Sequence, residues 1–212
     1  MFNIDATLFR AAYTCVSTEK NRYYLKGVYV EPCAAGGATL VSTVGRRLIA
    51  VYDESAQCEA AAIVSLEKPA LAALKKGKND SGNRRLIMAA GDTRAWICNS
   101  DGSQQIAFQD KPIIDGHFPD WRRVLPNLTN TTPDEVQGYS PRHLDSFGDA
   151  YCILRDVKTP ALGIRNGEKG GPAYIEFGMP NAFGVLMPVR VKGDFAIPSW
   201  VHARARDKTA AV

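Results

Sequence analysis

The side chains of this chain offer few groupings that could perform catalysis. Its three histidines, His117, His143 and His202, stand apart from any GxSxG, HExxH or phosphate-loop pattern. Asp115 and Asp120 flank His117 at a spacing that a metal could use, but all three fall in one proline-containing connector. The five cysteines are dispersed without a Cys-x-x-Cys pair, which is typical of reduced thiols and not of zinc ligands. We therefore expect no enzyme activity, no metal and no cofactor.

The composition is that of an ordinary globular protein with a mild positive charge. Hydrophobic residues make up 45% of the 212 residues, charged residues 23%, and the formal net charge is +4. Such a charge permits a polyanionic partner without requiring one. The chain has no apolar run of about 18 residues, and its first residues lack a secretory apolar core. We expect a cytoplasmic protein.

The most distinctive stretch is the connector from Ile113 to Pro126, which reads IIDGHFPDWRRVLP. Its prolines lack a backbone donor and disfavour helix, so we predict a stiff, extended segment. An aromatic residue, two arginines and a short apolar tail favour a surface role. A loop anchored by a buried Trp121 is the alternative interpretation.

The remaining chain repeats one pattern three times: a strand, a helix and three further strands. In the first unit, Asp5 is predicted to cap a helix over 6–17. In the second unit, Ser65 is predicted to cap a helix over 66–76 that ends before Gly77. The predicted strands are 2–4, 23–31, 39–44 and 47–52, then 60–64, 84–90, 94–98 and 104–108, and finally 161–165, 173–177 and 183–189.

The third unit begins near Glu135. Ser140 followed by Pro141 predicts the start of its helix. Between the connector and this unit, the polar stretch 127–132 is predicted to be mobile.

Three ordered motifs resemble the bacterial sliding clamp family, the beta subunit of DNA polymerase III. The connector resembles the segment that joins the second and third domains of that family. Within 22–48, RYYLKGVYVE followed by LVSTVGRRL is similar to the RYYLNG-type strand and TDGHRL-type turn of the second domain. At 185–191, VLMPVRV is similar to the VMPMRL-type terminus. The resemblance covers about 2–191.

This resemblance implies an α+β fold of three β-α-β-β-β units, each a helix packed on a small antiparallel sheet. The implied parts are a clamp-like domain at 1–112 with units 1–55 and 56–112, a connector at 113–134, a clamp-like half-domain at 135–191 and an extension at 192–212. The family's first domain and the first half of its third have no match. A lone half-domain would leave a sheet edge uncovered, so we expect a homo-oligomer. Four chains of three units would supply the twelve units of a family ring.

The resemblance also implies a pocket that holds peptide motifs of partner proteins. Leu, Val, Met and Pro side chains would accept a partner's Leu or Phe, and arginines at the rim would hold carbonyls or acidic residues. The alternative interpretation makes Leu48, Val124 and Val189 ordinary core residues. The implied lining is Leu25, Thr43, Gly45, Arg46, Arg47, Leu48, Pro119, Arg123, Val124, Val185, Met187, Pro188, Val189 and Arg190.

Two features depart from the family pattern. The family's Asp-Gly-His-Arg-Leu turn reads Val-Gly-Arg-Arg-Leu at 44–48, so an acid is lost and a cation gained, and partner preference is expected to differ. The extension carries an apolar piece at 195–201 and a basic piece at 202–208. It is either a packed strand with a frayed end, or a segment that covers the pocket or mediates assembly.

Cations near the helices are the implied contacts to double-stranded DNA, because clamps touch phosphates loosely enough to slide. The candidates are Arg10, Lys20, Arg22, Lys68, Lys75, Lys76, Lys78 and Arg142. A solvated helix end is an equal alternative for the cluster at 75–78.

The function implied by the resemblance is a non-enzymatic processivity factor for DNA replication. It would tether a DNA polymerase to duplex DNA, with other motif-bearing proteins and a clamp loader as further partners. The alternative is an adaptor or competitor that binds the same motifs without encircling DNA.

Overall fold

The computed structural model describes residues 1–78, 80–126, 137–168 and 170–190. The helices are α1 (Ala6–Tyr13), α2 (Lys68–Ala73) and α3 (Pro141–Arg155). The strands are β1 (Phe2–Asp5), β2 (Val28–Pro32), β3 (Ala38–Thr43), β4 (Arg47–Asp53), β5 (Gln57–Cys58), β6 (Ala62–Val64), β7 (Arg85–Met88), β8 (Arg94–Cys98), β9 (Gln105–Asp110), β10 (Ile113–Ile114), β11 (Gly163–Arg165), β12 (Ala173–Glu176) and β13 (Ala182–Leu186). Within these ranges, no helix has the length and apolar character to cross a membrane.

The strands form two antiparallel sheets, which confirms the α+β class. One sheet has the order β5-β1-β7-β8-β9, and the other has the order β10-β6-β2-β3-β4-β13-β12-β11. The first strand of each of the first two units lies in the other unit's sheet, because β1 pairs with β7 and β6 pairs with β2. The helices still contact strands of their own units, α1 on β3 and β4 and α2 on β9, as expected, but these two first strands cross to the other sheet. The reason is that α1 carries the chain across the core between β1 and β2.

A single seam joins the first and third units into the eight-stranded sheet. There β4 pairs with β13, and Leu48 lies opposite Val185. On one face of this sheet α1 packs against α3. Phe147 of α3 is fully buried and lies so close over Gly184 of β13 that a Cβ there would be 2.5 Å from the ring. The main core of the protein lies on this helix-covered face.

The predicted cap of α1 is confirmed. Asp5 Oδ1 accepts hydrogen bonds from the backbone nitrogens of Thr7 and Leu8 at 2.7 and 3.0 Å. The helix is shorter than predicted and ends at Tyr13, because the Thr14 hydroxyl bonds back to the Ala11 carbonyl at 2.8 Å and the chain leaves the helix axis.

The predicted boundaries of α2 are wrong at both ends. The Ser65 hydroxyl donates to the Lys26 carbonyl at 3.2 Å instead of capping, and the helix begins at Lys68 with a proline in its first turn. It ends at Ala73, before the predicted stop, because Arg84 Nη1 donates to the Ala73 carbonyl at 2.7 Å. Long-range contacts to loops and strands thus override the local signals.

The start of α3 after Ser140 agrees with the prediction, although the Ser140 side chain makes no capping bond. Ahead of α3, the described residues form one bridge, Gly138 to Val189, instead of a full strand. β13 ends at Leu186, earlier than the predicted residue 189, because Pro188 cannot donate to a sheet.

Two further expectations are corrected near the seam. The predicted strand over 23–31 begins with a 3-10 turn at Tyr23–Leu25 and becomes β2 only at Val28. The connector is not extended throughout, because Trp121–Val124 forms a 3-10 turn in which Asp120 Oδ1 accepts a hydrogen bond from the Arg122 nitrogen at 3.2 Å. The predicted strand 94–98 matches β8, and the other predicted strands differ from the observed ones by one or two residues at their ends. Residues 127–132 and the extension at 192–212 lie outside the described residues.

Candidate functional site

A tight turn between β3 and β4 forms one wall of the candidate site. Thr43 Oγ1 donates to the Arg47 carbonyl at 2.8 Å and accepts from the Gly45 nitrogen at 2.9 Å. Gly45 has a φ of +85°, and a Cβ at this position would lie 2.8 Å from the Arg22 guanidinium. The turn therefore depends on glycine both for its backbone and for the close approach of Arg22.

The floor of the site is the seam itself. Leu48 and Val185 face each other across β4 and β13, and they are 3% and 2% exposed. Leu25, the last residue of the 3-10 turn, is buried beside them in the same cluster. Beyond β13, the Met187 nitrogen donates to the Arg46 carbonyl at 2.9 Å and keeps the chain against the turn.

The connector lies across this face and completes the site. Trp121 Nε1 and Arg122 Nη2 both donate to Glu31 Oε1, at 3.1 and 2.7 Å. The Arg122 guanidinium also lies 4.3 Å from the centre of the Trp121 ring. Phe118 stacks on Tyr29 with ring centres 4.8 Å apart. The connector is thus fixed by an aromatic anchor and a shared carboxylate, which is the buried-tryptophan interpretation.

These parts enclose a pocket of about 270 Å³ with an apolar floor and a basic rim. Val124 and Met187 at its mouth are 43% and 38% exposed, which is high for large apolar side chains. The lining is Arg22, Tyr24, Leu25, Thr43, Gly45, Arg46, Arg47, Leu48, Pro119, Asp120, Trp121, Val124, Val185 and Met187. We call this the seam pocket.

Most of the residues expected in a pocket do line the seam pocket. Arg123 instead lines an adjacent cleft together with Val124 and Met187. Three expected members are absent from the described lining: Pro188, Val189 and Arg190. Four lining residues were not expected there, although they lie within the motifs that resemble the clamps and could have been predicted from them: Arg22, Tyr24, Asp120 and Trp121.

A second cleft, of about 760 Å³, adjoins the seam pocket on the side of α3. Four arginines line it: Arg22, Arg46, Arg47 and Arg142. Arg47 Nη1 lies 2.7 Å from Nδ1 of His143, and burial together with Arg47, Arg46 and Arg142 lowers the pKa of His143. We call this the basic cleft.

The candidate DNA contacts are spread over several surfaces. Arg10, Lys75 and Lys76 line one cleft, in which burial lowers the pKa of Arg10. Arg22 and Arg142 lie in the basic cleft. The others are exposed side chains elsewhere: Lys20, Lys68 and Lys78.

The titratable side chains provide no evident reactive centre within the described ranges. No cluster of His, Cys, Asp and Glu there is suited to hold a metal ion. Cys15 is fully buried, and burial raises the pKa of its thiol to about 11 despite the neighbouring Arg47, so the thiol is not a nucleophile at neutral pH.

The curated relatives that match this chain are beta sliding clamps. No family model matches the chain. The beta sliding clamp of Caulobacter vibrioides is 34% identical over 132 residues, which cover 58% of this chain and 31% of the relative. The chain therefore spans about a third of the length of the curated relatives that it matches.

Solved structures agree with this over nearly the whole chain. The sliding clamp of Caulobacter crescentus superposes with a TM-score of 0.62 at 19% identity, covering 90% of this chain and 65% of the clamp. The clamp of Bartonella birtlesii gives a TM-score of 0.60 at 18% identity, with coverages of 89% and 65%. The clamp of Bacillus subtilis gives 0.62 at 13% identity, with coverages of 90% and 64%.

The fold is therefore that of the DNA sliding clamps. Within that class, the chain is similar to the bacterial beta subunit of DNA polymerase III and covers 65% of the Caulobacter crescentus clamp. The resemblance that the three sequence motifs indicated is confirmed.

Proposed function

We propose that this chain is a sliding-clamp-like processivity factor, which tethers a DNA polymerase to duplex DNA through the seam pocket. The observation that carries the proposal is the pocket itself. Segments at 22–25, 43–48, 119–124 and 185–187 are far apart in sequence, yet they converge on one apolar cavity. The same segments carry the resemblance to the clamps.

The shape and chemistry of the seam pocket suit a short peptide. Leu25, Leu48 and Val185 form a buried apolar floor for an aliphatic or aromatic anchor, and such anchors carry most of the binding energy at interfaces. Met187 at the mouth can adapt its shape to different partners. The backbone around the pocket is fixed by hydrogen bonds, so little ordering is required upon binding.

Peptide binding can be tested with a fluorescein-labelled peptide that ends in a Leu-Phe pair. We expect Val124→Ser to weaken binding roughly tenfold, because it removes apolar contact at the mouth of the pocket. Ile106→Ser is the matched control, since Ile106 is 39% exposed on β9, which belongs to the other sheet. Equal affinity in both variants, or no binding to the unmodified protein, would overturn the proposal.

Self-association is supported by an open strand edge. The first strands after the three helices are β2, β7 and β11. β2 lies between β3 and β6, and β7 lies between β8 and β1, whereas β11 pairs only with β12 among the described residues. All three residues of β11 are exposed, which suits the addition of another strand.

Solution mass measured by light scattering across a concentration series tests this part of the proposal. A tetramer near four times 23.1 kDa is expected for a ring of twelve units. A monomer at all concentrations would exclude the self-assembled ring.

DNA encirclement distinguishes the clamp from the adaptor or competitor. A clamp remains on a nicked circular duplex and is lost after the circle is cut, whereas an adaptor shows neither behaviour. On circular DNA we expect Lys75→Gln with Lys76→Gln to reduce retention and its salt dependence, because each lost phosphate contact lowers the slope of log affinity against log salt by about 0.9. In this proposal the chain acts in the cytoplasm without catalysis of its own.

A further inference from the structure

Exposed apolar side chains gather at the mouth of the seam pocket. Leu125 is 42% exposed, and it stands next to Val124 and near Met187, which are exposed to a similar degree. Val124 and Met187 line both the seam pocket and the adjacent cleft of about 360 Å³, and Leu125 lines that cleft with them. A continuous apolar surface of this kind is typical of a place where another segment packs.

The backbone passes this surface shortly before the described chain ends. The Met187 nitrogen donates to the Arg46 carbonyl at 2.9 Å, and the Val189 nitrogen donates to the Gly138 carbonyl at 2.8 Å. These two bonds fix the direction of the chain up to the exposed Arg190. An extended chain spans at most about 3.5 Å per residue, so Phe195 lies no more than about 18 Å from Arg190.

The sequence after Arg190 complements the mouth of the pocket. The apolar piece at 195–201 contains two aromatic side chains, Phe195 and Trp200, together with aliphatic ones. Gly193 lies between this piece and Arg190, and glycine permits the reversal of direction that a return to the pocket requires. The basic piece at 202–208 that follows is suited to solvent.

An attached segment has an advantage over a separate partner. A short linker holds it near the pocket at an effective concentration on the order of 1 mM. An intrinsic dissociation constant of about 0.1 mM would then keep the pocket covered about nine-tenths of the time. Burial of two aromatic side chains suits an affinity as weak as this.

We propose that the apolar piece at 195–201 folds back over Val124, Leu125 and Met187 of the same molecule and competes with partner peptides. The inference rests on the proposed function, because competition requires that the seam pocket binds peptides. The consequence is autoinhibition: a partner must displace the apolar piece, and its apparent affinity is reduced by the fraction of molecules whose pocket is open.

The first experiment measures the affinity of the full chain for the labelled Leu-Phe peptide. Phe195→Ser combined with Trp200→Ser should raise this affinity roughly tenfold, because the pocket is then open in all molecules. Arg204→Ser combined with Arg206→Ser is the matched control, since it changes two residues of the same extension and keeps the apolar piece. The control should bind the peptide as tightly as the unmodified protein does.

A peptide with the sequence of residues 191–201 tests the contact directly. In excess, it should displace the labelled Leu-Phe peptide from the unmodified protein, which requires no substitution. When labelled itself, it should bind the Phe195→Ser, Trp200→Ser protein with a dissociation constant on the order of 0.1 mM. Adding Leu125→Ser to that protein should weaken the binding, whereas adding Ile106→Ser on the other sheet should not.

The outcomes separate the inference from the proposed function. Unchanged affinity for the Leu-Phe peptide after the Phe195→Ser and Trp200→Ser substitutions, or a 191–201 peptide that does not bind, overturns the inference alone. If the Leu-Phe peptide binds none of the proteins, the proposed function fails, and the 191–201 peptide still decides whether the cover exists. If the two substitutions lower the solution mass in light scattering, the apolar piece joins neighbouring copies instead, which also overturns the inference.

Discussion

The seam between β4 and β13 and the edge at β11 lie two strands apart in one sheet, but they differ in how they are covered. At the seam, α1 and α3 cover one face and the connector covers the other, so Leu48, Val185 and Leu186 are all buried. At β11 all three residues are exposed, and Ile164 is 44% exposed. The two regions differ because of their neighbours: the covered seam forms a defined pocket, whereas β11 pairs with β12 alone among the described strands and stays exposed.

The largest expected difference between the seam and the β11 edge is the loss of stability when a large apolar side chain is removed. Phe147→Ala removes a fully buried ring that packs on Phe177 and on the seam glycine Gly184, so we expect the free energy of unfolding to fall by about 3–5 kcal/mol. Ile164→Ala on β11 is the control and should cost less than about 1 kcal/mol. Denaturation by urea measures both, and equal losses would contradict the comparison.

The second prediction concerns the space available for a larger side chain at Gly184 of the seam and at Gly163 of β11. Gly184→Val places a Cβ about where the Phe147 ring lies, 2.5 Å from a ring carbon, and should destabilise the protein by about 1–3 kcal/mol. At Gly163 of β11, a Cβ would meet only the Glu176 side chain, at 3.2 Å. Gly163→Val should therefore change the thermal midpoint much less, and a larger loss there would show that the edge is closed.

A third prediction concerns the connector that covers the seam. Trp121→Phe removes the hydrogen bond from Nε1 to Glu31 and should lower the free energy of unfolding by about 1 kcal/mol. Trp96 in the other sheet is a matched case, because its Nε1 donates to Asp92 at the same distance of 3.1 Å. The Trp96→Phe variant should lose similar stability yet keep its peptide affinity, whereas Trp121→Phe should lose both. Loss of affinity in both variants would argue against a local role for the connector.

The smallest effect is a pH dependence at the basic cleft. Because the pKa of His143 is lowered in the folded state, the unfolded chain binds this proton first as pH falls below about 6.5. The free energy of unfolding is therefore not reduced by His143 above that pH. It decreases as the pH falls further, until the lowered pKa of the folded state is reached. In the His143→Gln variant, the thermal midpoint should change less between pH 5 and 7 than it does in the unmodified protein. The same pH dependence in both proteins would contradict the lowered pKa of His143.

Local sequence signals predicted which segments form helices and strands better than they predicted which segments pair or pack with each other. Asp5 caps α1 as expected, because the capping bond involves only neighbouring residues. Ser65 does not cap α2, because its hydroxyl donates a hydrogen bond to the Lys26 carbonyl. No local sequence pattern predicts this contact between distant residues. The exchange of β1 and β6 between sheets could not be read from periodicity, because an alternating strand fits any sheet that offers it an apolar face.

The sequence by itself determined the types of side chain in the seam pocket and the clamp resemblance of the segments that carry them. Only the tertiary structure brought Arg142 and His143 of α3 beside the turn at 44–48, and turned scattered cations into one cleft next to an apolar pocket. The physical reason is that this neighbourhood depends on the pairing of β4 with β13. Such pairing is selected by burial of whole faces and not by any local run of residues.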